Sequence, residues 1–252
     1  MGDKYVVFSF DDGLSQDKRI LEILNRHQIK ATFNLNSGLF GKRQYILRIG
    51  NIGFRSVDGR NSLIDRLFPY ADQNRVELEE ALQMYAGHEV ASHGTHHLDL
   101  SKADDQTLKE EVEKDVLFLN NAFHQRTVGL ALPFGREVKN KTESLKEFGI
   151  EYCRTTRSSY SFAFPKDPMK WDPTCWLIDK KLFSLTKQFV SCNCENDCLL
   201  YLWGHGYEMD FNTADSSFAR FERLLELLSE DRQIRYVTNK EALNVIRERR
   251  QK

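Results

Sequence analysis

No stretch of this 252-residue chain is apolar for long enough to cross a bilayer as a helix, which takes about 20 consecutive residues. Membrane insertion is therefore not expected. A charge of one sign is also missing: 36 Lys and Arg stand against 37 Asp and Glu, for a net charge of −1. That balance supplies no field to attract nucleic acid or anionic lipid, and neither is an expected partner. Cysteine is scarce and odd in number, at positions 153, 175, 192, 194 and 198. Five thiols argue against a disulfide framework and for a reducing compartment. No charged segment followed by an apolar one precedes the first strand pattern at Tyr5, so no signal peptide is read. The expected address is cytoplasmic, with secretion the alternative if a leader has been removed. Repeats and low-complexity segments are absent. What is present is a hydrophobic content of 40% with 12% aromatics, enough for a sizeable core.

Strand patterns fall at Tyr5–Phe10, Lys30–Leu35, Glu89–Ala91, Gly129–Leu132, Glu151–Arg154, Leu199–Trp203 and Ile234–Val237. Helical stripes lie between them, as in Leu108, Val112, Val116, Leu119 and Phe123. Thr238-Asn239-Lys240-Glu241 reads as a capping box that starts a final helix. Strand and helix alternate, which predicts parallel β–α units in an α/β fold. The expected organisation is one domain over 1–252, with segments inserted at about 41–73 and 155–175. The second of these interleaves Arg157 with Tyr160, Phe162, Phe164 and Trp171, a composition that suits either sugar stacking or a satellite core.

The chemistry concentrates where strands end. Val6-Val7-Phe8-Ser9-Phe10 runs into Asp11-Asp12-Gly13. Carboxylates at the end of a hydrophobic strand are costly unless water, a metal or a substrate reaches them. Neighbouring strand residues point to opposite faces, so the two acids can take different roles. The segment 88–97 holds four of the seven histidines. His93 and His97, four apart, are expected on one face. A carboxylate with two histidines and an open position is a catalytic set for a borderline-soft divalent ion.

These motifs resemble those of the polysaccharide deacetylases of the NodB-homology type, carbohydrate esterase family 4. That family has a Thr-Phe-Asp-Asp-Gly motif, matched here by Ser9-Phe10-Asp11-Asp12-Gly13, and a His-Ser/Thr-x-x-His motif, matched by His93-Gly94-Thr95-His96-His97. The resemblance implies a distorted, incomplete (β/α) barrel with about seven parallel strands. It implies that Asp12, His93 and His97 hold a divalent metal, with zinc the first choice and cobalt, nickel or manganese the alternatives. Asp11 becomes the general base, and His96 falls outside the ligand set. The family's Arg-x-Pro-aromatic motif reads Ala131-Leu132-Pro133-Phe134, which keeps Pro133 and Phe134 but lacks the arginine that pairs with the catalytic aspartate. Arg136, Arg154 and Arg157 are the candidate replacements. The Phe134 N–H is implied in oxyanion binding. Trp203-Gly204-His205 stands for the last motif and makes His205 the general acid. The acid and tryptophan that orient it are least clear: Trp171-Asp172 is nearest, with Asp179, Asp210 and Glu208 as rivals.

The function implied is removal of N-acetyl groups from an amino-sugar-containing oligo- or polysaccharide by metal-bound water. An O-acetyl esterase or other C–N hydrolase on the same metal site, or a carbohydrate-binding protein without turnover, are the alternatives. Cys192-x-Cys194-x3-Cys198 fits no common zinc spacing and reads as an exposed loop before the 199–203 strand.

Overall fold

Strand β1, Lys4–Asp11, is buried at all eight positions, as the central strand of a parallel sheet must be. Its alternation feeds two cores. Val6, Phe8 and Phe10 pack under the helices with Ile20, Leu24 and Phe221. Tyr5 and Val7 pack on the opposite face with Tyr152, Trp171, Tyr201 and Leu243. The computed structural model describes residues 2–49, 53–59, 63, 67–211, 213–214 and 216–250.

The strands that follow are β2 (Thr32–Leu35), β3 (Tyr45–Ile49), β4 (Gly53–Val57), β5 (Tyr70–Asp72) and β6 (Glu89–Ser92). Then come β7 (Gly129–Ala131), β8 (Tyr152–Arg154), β9 (Cys175–Trp176), β10 (Cys198–His205) and β11 (Ile234–Tyr236). The main sheet runs β8-β7-β6-β2-β1-β10-β9, and β11 pairs with the start of β1. All its pairings are parallel. The result is an open, curled half-barrel with helices outside: the parallel β–α units that the alternation predicts, in the incomplete (β/α) barrel that the resemblance implies. Each of the seven expected strands forms. An eighth, β9, was not expected; two residues are too few to show a period.

The expected insertion at 41–73 is not a plain loop. It carries a three-stranded antiparallel sheet in the order β4-β3-β5. Residues 50–52, 60–62 and 64–66 of that insertion lie outside the described residues. Phe54 of β4 packs against Trp176, Tyr207 and Phe211, so the small sheet leans on the C-terminal end of the barrel. In the 155–175 segment the core reading holds for most aromatics. Phe162 meets Phe189, Phe164 meets Tyr5, and Trp171 lies between Tyr152 and Tyr201. The final helix, Asn239–Arg250, has its reciprocal cap: Thr238 N–H donates to Glu241, and Glu241 N–H to the Thr238 hydroxyl.

Neighbouring strands trade volume. Gly129 and Ala131 of β7 sit in register with Tyr152 and Arg154 of β8. A Cβ on Gly129 would fall 2.0 Å from the Tyr152 ring. The small side chains of β7 therefore make room for the large ones of β8 on the same face.

Candidate metal centre

The alternation of β1 fixes Asp11. It shares parity with Tyr5, Val7 and Ser9, so its side chain enters the barrel interior. The next residue leaves the strand. Asp12 has φ of 80°, a left-handed conformation that Asp tolerates better than most residues, and Gly13 follows at 64°. Among the described residues, three of the seven non-glycine positions with positive φ belong to this site: Asp12, His97 and Phe134. Such conformations cluster where the surroundings hold functional groups in place.

His93 follows β6. The 93–97 segment is neither helix nor strand but a turn, with φ of 76° at Gly94 and 59° at His97. It still brings the two imidazole centroids to 4.7 Å. Ligand atoms of Asp12, His93 and His97 all lie within 4.8 Å of one another. The Nδ1 of His93 is 2.7 Å from the Ala131 carbonyl oxygen, which can only accept. Nδ1 therefore carries the proton, and the Nε2 lone pair faces Asp11 and Asp12 at 3.9 and 4.0 Å. A histidine whose far nitrogen is fixed this way is oriented to bind a metal. Burial is the largest influence on His93 and pulls its pKa down to about 4, so the ring is neutral at pH 7. Burial lowers His97 as well. Two neutral imidazoles beside one carboxylate fit a divalent ion of the zinc type. His96 turns away: it is 59% exposed, and its Nδ1 lies 2.7 Å from Glu111, which a π-helical turn at Lys109–Glu113 aims at this loop.

Two residues that the sequence did not single out contact Asp12. Arg75 Nη2 is 3.1 Å from Oδ1, and Gln73 Nε2 is 3.3 Å from Oδ2. Both follow β5, so the inserted sheet is tied directly to a candidate ligand. Burial pushes the Asp12 carboxyl up, but the Arg75 guanidinium, aided by the nearby histidines, holds it well below the usual range. A carboxylate oxygen has two lone pairs, so these bonds leave a position for a cation.

The missing arginine has a substitute. Arg154 Nη2 is 2.5 Å from both carboxylate oxygens of Asp11, and Arg154 is 0% exposed. It comes from the position on β8 in register with Ala131, so the guanidinium enters from the next strand. Of the three candidates, Arg136 pairs with Asp99, and Arg157 with Asp172 and Glu137. Asn34 Nδ2 adds a hydrogen bond to Asp11 at 2.8 Å. Burial alone would raise the Asp11 pKa; Arg154 leads the charges that outweigh it, and the net shift is downward.

His205 ends β10 with its Nε2 3.9 Å from Asp11. Its Nδ1 is 2.6 Å from Glu208, and the same carboxylate oxygen accepts from Trp176 Nε1 at 2.8 Å. The orienting acid is thus Glu208 and the tryptophan is Trp176. Asp172 does not serve: its oxygens accept from Thr155 and Arg157. Burial lowers the His205 pKa, but the charge and hydrogen bond of Glu208 more than reverse this, and it is raised to about 9. Trp171 is also corrected. It is 1% exposed in the second core, behind the cleft, and cannot touch substrate.

Asp11, Asp12, His93, His97 and His205 open into one cleft of about 400 Å³. Its walls include Phe54 and Ile46 of the inserted sheet, Trp176, Trp203 and Tyr207. Phe134 also lines it, 56% exposed, with its ring 4.7 Å from that of His97. Pro133 is buried beneath, where it shapes the turn and not the wall.

A profile of the polysaccharide deacetylase family matches residues 1–153. Among solved structures, the chain is similar to a protein from Mycobacterium smegmatis assigned as a polysaccharide deacetylase, with 14% identity and a TM-score of 0.60 over 99% of this chain and 92% of that one. It is similar to the Bc1960 peptidoglycan N-acetylglucosamine deacetylase, with 16% identity and a TM-score of 0.53 over 93% of this chain and 85% of that one. It also resembles BA3943 of Bacillus anthracis, a pseudoenzyme of carbohydrate esterase family 4, with 16% identity and a TM-score of 0.52 over 94% and 63%. At these identities the likeness is one of fold. Against the deacetylase PplD of Streptococcus pyogenes the match spans only 56% of that chain. A comparison with curated protein sequences gives no match.

Proposed function

The chain belongs to the polysaccharide deacetylase family, and from that premise we propose that it is a metal-dependent hydrolase that removes N-acetyl groups from an amino-sugar-containing oligo- or polysaccharide. The observation that carries this reading is the opposed pair around the ligand triangle. An ionised carboxylate (Asp11) and an imidazolium (His205) both face Asp12, His93 and His97 inside one aromatic-walled cleft.

The metal, held by Asp12, His93 and His97, would acidify a water and polarise the acetyl carbonyl when bound. Asp11 is kept ionised by Arg154 and oriented by Asn34, so it accepts the proton of the attacking water. The Phe134 N–H, at the tip of a left-handed turn, donates to the developing oxyanion. His205 stays protonated at neutral pH through Glu208 and gives its proton to the departing amine. Trp176, Trp203 and Tyr207 offer flat apolar faces for sugar rings. The reading of a carbohydrate binder without turnover rests on the absent arginine at Ala131 and on the unclear acid and tryptophan that orient His205. Arg154 on Asp11 weakens the first argument, and Glu208 with Trp176 the second.

The test is acetate release from N-acetylated chitin oligosaccharides with and without a chelator. Release that a chelator abolishes and added Zn2+ restores is expected, as is its loss in Asp11→Asn with the metal retained. Acetate from O-acetylated sugars alone would make the chain an esterase. Bound oligosaccharide with no acetate from any substrate would refute the hydrolase.

A further inference from the structure

Three of the five cysteines lie between the end of the helix Leu182–Ser191 and the first residue of β10. Their sequence spacing, Cys-x-Cys-x3-Cys, matches no familiar metal motif. The folded loop brings them together nonetheless. The sulfurs of Cys192, Cys194 and Cys198 lie within 4.8 Å of one another, and Cys194 stands beside both of the others. The Cys194 sulfur is in bonding contact with those of both Cys192 and Cys198; a sulfur forms one disulfide bond, so both contacts cannot be disulfides at once, and a single disulfide leaves the third sulfur drawn to the same point without a reason. All three residues are partly exposed, within reach of a solute. The remaining cysteines differ: Cys153 and Cys175 are buried singly, and burial pushes both thiols well above their ordinary value, that of Cys175 to about 12.

We propose that Cys192, Cys194 and Cys198 form a second metal site, for a thiophilic d10 ion, at the end of the barrel opposite the cleft. Thiolate donors select Zn2+ and Cu+ over harder ions. Three sulfurs satisfy Cu+ in a trigonal plane, or Zn2+ with water in the fourth position. Binding converts three thiols to thiolates and releases their protons to solvent. The site is remote from the chemistry. Cys198 begins β10 and His205 ends it, which at about 3.3 Å per residue separates them by roughly 23 Å.

Its role is to fasten the chain's first residues. Gly2 N–H donates to the Cys194 carbonyl at 2.9 Å, Asp3 N–H to Asp197 at 2.7 Å, and Arg249 of the final helix pairs with Asp197 at 2.9 Å. A metal at the three sulfurs makes this junction rigid.

The experiment is metal stoichiometry on the full chain, reduced, loaded with Zn2+ alone, freed of excess metal and analysed for zinc. The wild type is expected to hold two equivalents. Cys194→Ser and Cys198→Ser should each hold one, with unchanged circular dichroism and a Tm that added Zn2+ raises less than in the wild type. Cys153→Ser should remain at two. His93→Ala should also hold one, through loss of the other site. A failure of the catalytic assignment therefore reads differently: the wild type would hold one equivalent and the loop variants none. Parallel loading with Cu+ decides the preferred ion. Equal metal in the wild type and the loop variants, for both ions, overturns the proposal. So does a thiol titration in which two of the three loop cysteines remain bonded to each other after mild reduction.

Discussion

Replacing Arg154 with methionine removes the guanidinium from Asp11 and keeps most of the volume. The magnitude follows from burial. Asp11 and Arg154 are 1% and 0% exposed, so water cannot take the guanidinium's place. Two unit charges centred about 4 Å apart attract by about 4 kcal/mol at an effective dielectric of 20. Breaking a buried pair by deleting one partner costs about 3–5 kcal/mol, since the charge left behind is uncompensated. Both figures are a large fraction of a typical domain's stability of about 5–15 kcal/mol. The Asn34 hydrogen bond survives and softens the loss. The assay is urea unfolding at pH 7 with chelator present, so that no cation substitutes for the arginine. The partner variant Asp11→Asn completes a double-mutant cycle. Arg154→Met with Asp11→Asn should recover most of the loss, giving a coupling of at least about 2 kcal/mol. In addition, Ala131→Arg in the wild type should destabilise, because Arg154 already fills the space above Ala131. On the Arg154→Ala background the same change should restore stability and turnover. A loss under about 1 kcal/mol for Arg154→Met, or no coupling with Asp11, would refute the assignment of this pair.

The ligand set predicts that His93→Ala and His97→Ala lose the metal of the cleft while His96→Ala keeps it, by elemental analysis; the opposite pattern at 96 and 97 would displace the assignment by one residue. Glu208→Gln removes the carboxylate that raises His205 to about 9, leaving burial to lower it, so the alkaline limb of the kcat/KM profile should move to lower pH; an unmoved limb would exclude His205 as the acid. Asp17 is buried, and burial, its largest influence, raises its pKa to about 7, above its unfolded value near 3.8. The native state thus holds the proton more tightly, and this group's contribution to stability is full below about pH 4 and lost as pH rises through 7. Asp17→Asn, whose oxygen can still accept from Leu14 N–H and the Tyr85 hydroxyl, should flatten that dependence. Its stability relative to wild type should rise by about 2–4 kcal/mol between pH 5 and pH 8 in thermal unfolding, and a constant difference would contradict the shift.

The sequence by itself determined the elements that repeat and the groups that sit where strands stop. Hydrophobic runs at β1 and β10 are long enough to show their period, and the acids and histidines beyond them could be costed without coordinates. Asp11, Asp12, His93 and His97 were legible for that reason, and His205 only through the resemblance of Trp203-Gly204-His205 to a family motif. Only the tertiary structure decided what comes from another strand or another loop. Arg154 reaches Asp11 across 143 positions because β7 and β8 align Ala131 with Arg154, and strand register is not written in either segment alone. Trp176 could not be found because its strand has two residues, and Trp171 was misplaced because a tryptophan beside an acid looks the same in sequence whether it faces a cleft or a core. The inserted sheet escaped because antiparallel pairing is a contact between segments, and Arg75 became a partner of Asp12 only when that sheet closed over the end of the barrel. Local patterning is a property of consecutive residues. Which side chain meets a buried charge depends on pairing between distant ones, and that is decided by the fold.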